Sequence, residues 1–324
     1  MKKSLKLFLA AAFLVTEFFV VALPLMITSA KADGHPIQAI THAGFGGGTD
    51  VTTRMMLLRT RRYLKQDMQL VNKKGGGGAA SMDYMMTLPA DGQHTLTWTT
   101  GHAVSMALGK TKVKLSDMQP LARGTDDPQL FVVNCKNEIK DAKKFISAQK
   151  SKSLKYGTTH VGGIDDVSAI AFTKKGKLTD PTIVPYKGVG PIKTNLIKGD
   201  IDVGVLNLGE AVTEIEDGTL CVSVVLASNR MEKLSNVPTA TELGIPVVLS
   251  TVRGFVTKKG VAGDRKKQLE DAMIKAMEHK YFQSFLTDIG LDSTSVVGAD
   301  EWGKQMEVML AEMTAQLKAL GYIK

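Results

Sequence analysis

Apolar residues first gather in a run over residues 7–27, which follows Lys2, Lys3 and Lys6 and ends ahead of Ala30-Lys31-Ala32. A basic segment, an apolar segment and a small-x-small site in that order make an export signal. Thr16 and Glu17 interrupt the run, and a charge at mid-bilayer costs about 2.5–3.5 kcal/mol on insertion scales. Residues 1–32 are therefore expected to be a signal peptide cleaved after Ala32, leaving a periplasmic protein rather than an anchored one. No cysteine lies near that point to take a lipid, and no later segment reaches 18 apolar residues.

From Pro36 onward the pattern becomes strand, glycine-rich turn and helix, repeated. Residues 35–42 read as a strand, 43–50 as a turn, and 51–64 as a helix with Val51, Met55, Leu58 and Arg62 on one face and Thr49 or Asp50 as N-cap. A strand over 69–72, a glycine loop over 73–78, a helix over 79–86 and a strand over 94–100 follow. After Asp127-Pro128 come an apolar strand over 130–134, a polar helix over 141–149, a second glycine-rich loop over 158–166 and a helix over 167–174. Strands over 182–185, 200–206 and 220–227 follow, with a helix opened by Pro191 between the first two. The helices expected over 265–279 and 301–320 are Met-rich, which at helical spacing reads as core filling. Alternating strands and helices predict an α/β protein with a mostly parallel sheet covered on both faces.

Composition narrows the function. The chain has 324 residues, 44% hydrophobic and 23% charged, which excludes disorder and fits two domains. Its net charge of +9 raises nucleic-acid binding, but residues 1–32 hold four lysines and one glutamate, so the remainder carries +6. Aromatic residues make up only 6% and do not alternate with basic ones, so no nucleic-acid partner is expected.

Recognisable chemistry is absent. Thr49 stands where the dinucleotide fingerprint needs its third glycine, and Val104 where a P-loop ending at Gly109-Lys110-Thr111 needs its first. The six histidines form no HxxxH pair and there is no GxSxG elbow, so no metal, cofactor or catalytic set is expected. What remains is two glycine turns feeding helix N-termini, where free N–H groups and the helix dipole favour an anion.

The ordered motifs resemble the substrate-binding proteins of tripartite tricarboxylate transporters, the Bug-type receptors. The match runs collinearly through Gly46-Gly47-Gly48-Thr49-Asp50 with Arg54, Asn72 with Gly75 to Gly78, Pro89-Ala90-Asp91-Gly92, Tyr156-Gly157-Thr158-Thr159, Val184-Pro185-Tyr186-Lys187-Gly188, Gly199-Asp200-Ile201-Asp202 and Val237-Pro238-Thr239 through Gly244. The resemblance implies a type II periplasmic-binding-protein fold, in which two α/β lobes joined by two hinge strands close over a small carboxylate. It places lobe one at 33–132 plus 223–324 and lobe two at 133–222. It further implies a monomer that delivers its ligand to a membrane permease and catalyses nothing.

By that resemblance, ligand contacts fall on Phe45, Gly46, Gly47, Gly48, Thr49, Asp50, Thr100, Thr158, Thr159, His160, Gly162, Asp165 and Asn207. Phe45 stands where the family usually has proline, and His160 with Asp165-Asp166 departs from the family's second loop. Acids beside an anion site oppose a dicarboxylate, so a zwitterionic, hydroxylated or monocarboxylate ligand is expected rather than a citrate-like one. If 130–134 and 220–227 are the hinge strands, they lie side by side and bring Cys135 and Cys221 together, with a disulfide expected in an oxidising compartment. Two other roles fit the same residues: a ligand sensor for a membrane histidine kinase, and an exported α/β enzyme.

Overall fold

A computed structural model describes residues 35–159 and 161–324. The export signal expected over 1–32 and the contact expected at His160 lie outside them. The strands are β1 (Ile37–Thr41), β2 (Met68–Asn72), β3 (His94–Thr99), β4 (Met118–Pro128), β5 (Leu130–Asn134), β6 (Lys155–Thr158), β7 (Thr182–Pro185), β8 (Val203–Leu206), β9 (Leu220–Val225), β10 (Ser250–Lys258) and β11 (Val297–Gly298). The α-helices are α1 (Gly48–Leu64), α2 (Ala79–Thr87), α3 (Thr100–Ala107), α4 (Ala142–Ser151), α5 (Ile164–Lys175), α6 (Val189–Lys198), α7 (Leu208–Glu216), α8 (Gly263–Met277), α9 (Lys280–Asp288) and α10 (Ala299–Ala319).

These strands form two sheets. The first has the order β11-β4-β10-β3-β1-β2 and the second β7-β6-β8-β5-β9. Strands β1, β2 and β3 run parallel, as do β6, β7 and β8. Antiparallel strands complete each sheet, β10 beside β3 and β4, and β5 beside β8 and β9. Residues 118–128 and 250–258 show no apolar alternation, so no strand was expected there. They pair with each other through Arg253↔Thr125 and neighbouring positions, and their buried polar side chains find partners there and on adjoining segments, Arg253 on Asp127, Thr257 on the His94 carbonyl and Arg123 on the Ser295 carbonyl.

Helices α3, α7 and α9 were not expected from the sequence, and α1 differs from its expectation. It begins at Gly48 rather than Val51, Gly47 is its N-cap, and its buried face is Thr49, Thr53, Met56, Thr60 and Leu64, with Leu58 47% exposed. Threonine can line this face because its hydroxyl returns to the backbone: Thr53 Oγ1 donates to the Thr49 carbonyl at 2.7 Å and Thr60 Oγ1 to that of Met56 at 2.8 Å. The methionines of α8 and α10 fill core, with Met273, Met277, Met306, Met309 and Met313 buried. Aromatic packing is local to each sheet. Trp98 meets Trp302 at 5.8 Å over the first, and Phe131 is ringed by Phe145, Tyr156 and Phe172 at 4.9–5.7 Å over the second.

The chain passes from one sheet to the other between β4 and β5 and returns through residues 226–249. At the crossing the Gln129 N–H donates to the Leu249 carbonyl, the Leu226 N–H to the Gln129 carbonyl, and the Leu249 N–H to the Leu226 carbonyl, all at 2.9 Å. Beside it Arg253 is buried, its Nη1 2.9 Å from Asp127 Oδ2. Its Nε donates to Thr49 Oγ1 at 3.2 Å and its Nη2 to Asn207 Oδ1 at 3.0 Å. Burial pushes the Asp127 carboxyl up to about 7 against the pull of Arg253. Strands β5 and β9 lie antiparallel, and a disulfide joins Cys135 to Cys221 with their Cα atoms 5.0 Å apart across a sequence separation of 86.

Two outcomes follow. Replacing Cys135 and Cys221 together by serine is expected to lower the unfolding free energy by about 2–5 kcal/mol, because the unfolded chain loses its cross-link; urea titration of the variant measures this. Arg253→Met is expected to cost about 3–5 kcal/mol by stripping a buried carboxylate of its cation. Without the arginine Asp127 holds its proton to still higher pH in the folded state, while the unfolded carboxylate has released it. The deficit against wild type therefore widens from pH 6 to pH 8, and urea midpoints across that range check the sign.

Candidate functional site

In open α/β sheets the carboxyl ends of the parallel strands are where ligands bind. Here β1, β3, β6 and β8 each end in a short turn that opens a helix, two from each sheet. The turn from β1 to α1 is tied down on every side. Ala43 N–H donates to Thr41 Oγ1 at 3.2 Å, and Asn72 Nδ2 donates to the Ala43 carbonyl. Gly46, at φ +75°, donates its N–H to Asp50 Oδ2 at 3.0 Å, and Asp50 also takes Arg54 Nε at 2.9 Å.

The turn from β6 to α5 uses the same device. Gly162, at φ +67°, donates its N–H to Asp166 Oδ2 at 2.6 Å. In each turn a glycine takes the left-handed conformation that side chains resist, and its N–H goes to the aspartate four residues on, inside the first helical turn. Asp165 is used as well, its Oδ2 accepting the Thr159 N–H at 2.9 Å and hydroxyl at 2.7 Å. The helix starts at Ile164 behind Gly163, so both acids brace the loop from within the helix rather than capping it from outside.

The two sheets meet at these turns. A Cβ on Gly48 would stand 2.6 Å from Arg253 Nη2 and 3.3 Å from Glu210 Oε1, so only glycine lets α1 begin this close. Glu210 lies in the first turn of α7, where its Oε2 accepts the Asn207 N–H at 3.1 Å. Burial pushes the Glu210 carboxyl above its ordinary range and Asp165 adds to the push, while Arg253 and the N–H groups of Asn207 and Gly48 pull it down. On the other side, a Cβ on Gly162 would lie 3.4 Å from Leu108 Cδ1 and 3.5 Å from Lys110 Nζ.

The expected contact residues fall into two groups. Gly46, Gly47, Gly48 and Thr49 share the first turn with Phe45, which is 76% exposed at its tip with Lys74 Nζ 5.4 Å from the ring centre. Thr158, Thr159, Gly162 and Asp165 share the second, and the Thr158 hydroxyl is buried with no hydrogen-bond partner among the described residues. The other group uses its polar atoms inside the fold. Asp50 is held by Gly46 and Arg54; Thr100 Oγ1 bridges Val252 and Ser250 of β10 at 2.9 Å each; Asn207 Nδ2 donates to the Asp127 and Pro128 carbonyls at 2.9 Å.

Support comes from His102, which is buried and held neutral well below its ordinary pKa by burial and by His42. Its Nδ1 accepts the Thr99 N–H at 3.0 Å, so Nε2 carries the proton and donates to Ser81 Oγ at 3.0 Å. Among the described residues no group of His, Cys, Asp and Glu could hold a metal ion. Sequence reasoning singled out neither Arg253 nor Glu210. The pattern Asn207-x-x-Glu210 is a capping-box signature that could have flagged the glutamate. Arg253 has no local signal, since Asn207, Asp127 and Thr49 lie 46, 126 and 204 residues away.

Comparison with known proteins agrees with this geometry. The model of the tripartite tricarboxylate transporter family receptor matches residues 52–320. The chain is similar to BugT of Bordetella pertussis, 27% identical over 220 residues, covering 65% of this chain and 66%, just under two thirds, of that protein. A solved structure described as a periplasmic transporter superposes with a TM-score of 0.82 at 25% identity, covering 89% of this chain and 98% of that one. MatC from Rhodopseudomonas palustris, solved with bound malate, superposes at 0.78 and 23% identity, covering 87% and 98%. The fold is that of periplasmic solute-binding proteins, and the chain belongs to the tripartite tricarboxylate transporter receptor family.

Proposed function

We propose that this chain is an exported receptor that captures a small carboxylate between its two glycine turns and hands it to the membrane permease of a tripartite tricarboxylate transporter. The carrying observation is the matched pair of turns at facing strand ends, each opening a helix N-terminus toward the other sheet. MatC, a protein of the same fold, holds malate. In this reading residues 1–32 direct export, and the halves around the two sheets, divided close to residues 133 and 222, act as lobes that close at the crossing beside Gln129. The Phe45 N–H and the hydroxyls of Thr49 and Thr158 hold the ligand oxygens, in part through water, while the N–H groups of Gly46, Gly47 and Gly48 and the Thr159 hydroxyl are given to Asp50, Gly44, Glu210 and Asp165 and shape the turns. The receptor works as a monomer, and a binding role asks nothing of a nucleophile or a metal.

A thermal and chemical denaturation screen against malate, succinate, adipate, amino acids and aromatic acids tests this. A true ligand at 100-fold over its Kd adds about 2.7 kcal/mol of stability; a flat response to the whole set, with turnover of a hydrolase substrate, overturns the reading. Thr158→Val separates binding from folding. Removing a buried hydroxyl that has no partner leaves the melting temperature unchanged or raised, while loss of its bond to the ligand weakens affinity by about tenfold, as expected for one hydrogen bond of roughly 1.4 kcal/mol. Isothermal titration with the best acid of the screen measures the second effect; an unchanged Kd removes Thr158 from the site.

A further inference from the structure

The floor of the site carries more negative charge than a receptor for simple carboxylates needs. Glu210 reaches the start of α1 from the opposite sheet, with its Oε1 3.3 Å from where a Gly48 Cβ would be. The cation beside it is already committed, because Arg253 gives Nη1 to Asp127, Nη2 to Asn207 and Nε to Thr49. Among the described residues no lysine or arginine nitrogen lies within 4.0 Å of the Glu210 carboxylate. Asp165, from the neighbouring turn, adds a second negative charge that Glu210 feels. Meanwhile the Thr158 hydroxyl stands buried and without a partner at the end of β6. Two exposed lysines stand beside the same turns, with Lys74 Nζ 3.7 Å from a would-be Gly44 Cβ and Lys110 Nζ 3.5 Å from that of Gly162.

Charge around the turns thus comes in two layers, acids at the helix starts and lysines beside the loops. We propose that Glu210 sets the specificity of this site, selecting among small carboxylates those that also carry a cationic nitrogen, which settles against its carboxylate. The proposal rests on the receptor reading above and names its ligand class. A dicarboxylate without an amine brings its second charge against Glu210 and Asp165, and like charges at partly buried positions are screened less than in open solvent. An amino acid or ω-amino acid answers both layers, carboxylate to the helix starts and lysines, ammonium to Glu210. Glutamate at this position also completes the α7 capping box, a role for which glutamine keeps one acceptor oxygen for the Asn207 N–H while losing the charge.

Titration calorimetry of matched pairs decides it: succinate with aspartate, glutarate with glutamate, hexanoate with 6-aminohexanoate, on wild type and Glu210→Gln. The expected result is that the amine-bearing member of at least one pair binds wild type tenfold or more tighter than its partner. That ratio should fall to near one in Glu210→Gln, with the ligand-free melting temperature retained. A wild type that binds the amine-free acids as well or better overturns the proposal while leaving the receptor reading intact, and so does a ratio that Glu210→Gln does not change. If no acid of either kind binds, the receptor reading itself fails and carries the proposal with it.

Discussion

Everything around the cleft hangs on one buried guanidinium. Arg253 sits in β10 and binds Asp127 of β4, Thr49 of α1 and Asn207 at the start of α7, so one planar fork joins both sheets, the crossing between them and the first turn. A buried ion pair adds little net stability, since desolvation cancels most of its attraction. Its effect here is positional: five fixed donors tolerate only one arrangement of their acceptors, which a flexible lysine would not impose. Gly48 follows from the same constraint, because the arginine occupies the space its side chain would need.

The two turns show how such a site is prepared before any ligand arrives. In each, a left-handed glycine returns its N–H to an aspartate four residues on, so the loop is closed by its own helix. Ordering is then complete in the folded protein, and binding does not have to supply the entropy of fixing these loops. The same device gathers four acids, at positions 50, 165, 166 and 210, at the helix starts. Asp50 is offset by Arg54, while Asp165 and Glu210 accept backbone N–H groups from Thr159 and Asn207.

Much of this was legible in one dimension. The turns at 43–50 and 158–166, strands such as 130–134 and 182–185, and the methionine helices stand out because local pattern decides them: glycine runs, apolar runs and helical spacing. The ordered motifs carried the family as well. Strands β4 and β10 were not legible, for residues such as Arg123, Thr125, Asp127 and Arg253 look like surface until each meets its partner across the sheet. The buried face of α1 was misjudged for a related reason, since threonine satisfies its own hydroxyl on the preceding turn and can replace leucine in a core.

What the chain determined by itself, then, is its class, its alternation of strand and helix, and the two places where backbone N–H groups gather to meet an anion. Those depend on residues within a few positions of one another. Tertiary structure alone decided which partners the singled-out side chains find, tying Asp50, Thr100 and Asn207 into the frame and bringing Glu210 beside Gly48. The reason is physical: a polar side chain's role is set by whichever partner satisfies it first, and for these residues folding supplies that partner, often from more than a hundred positions away.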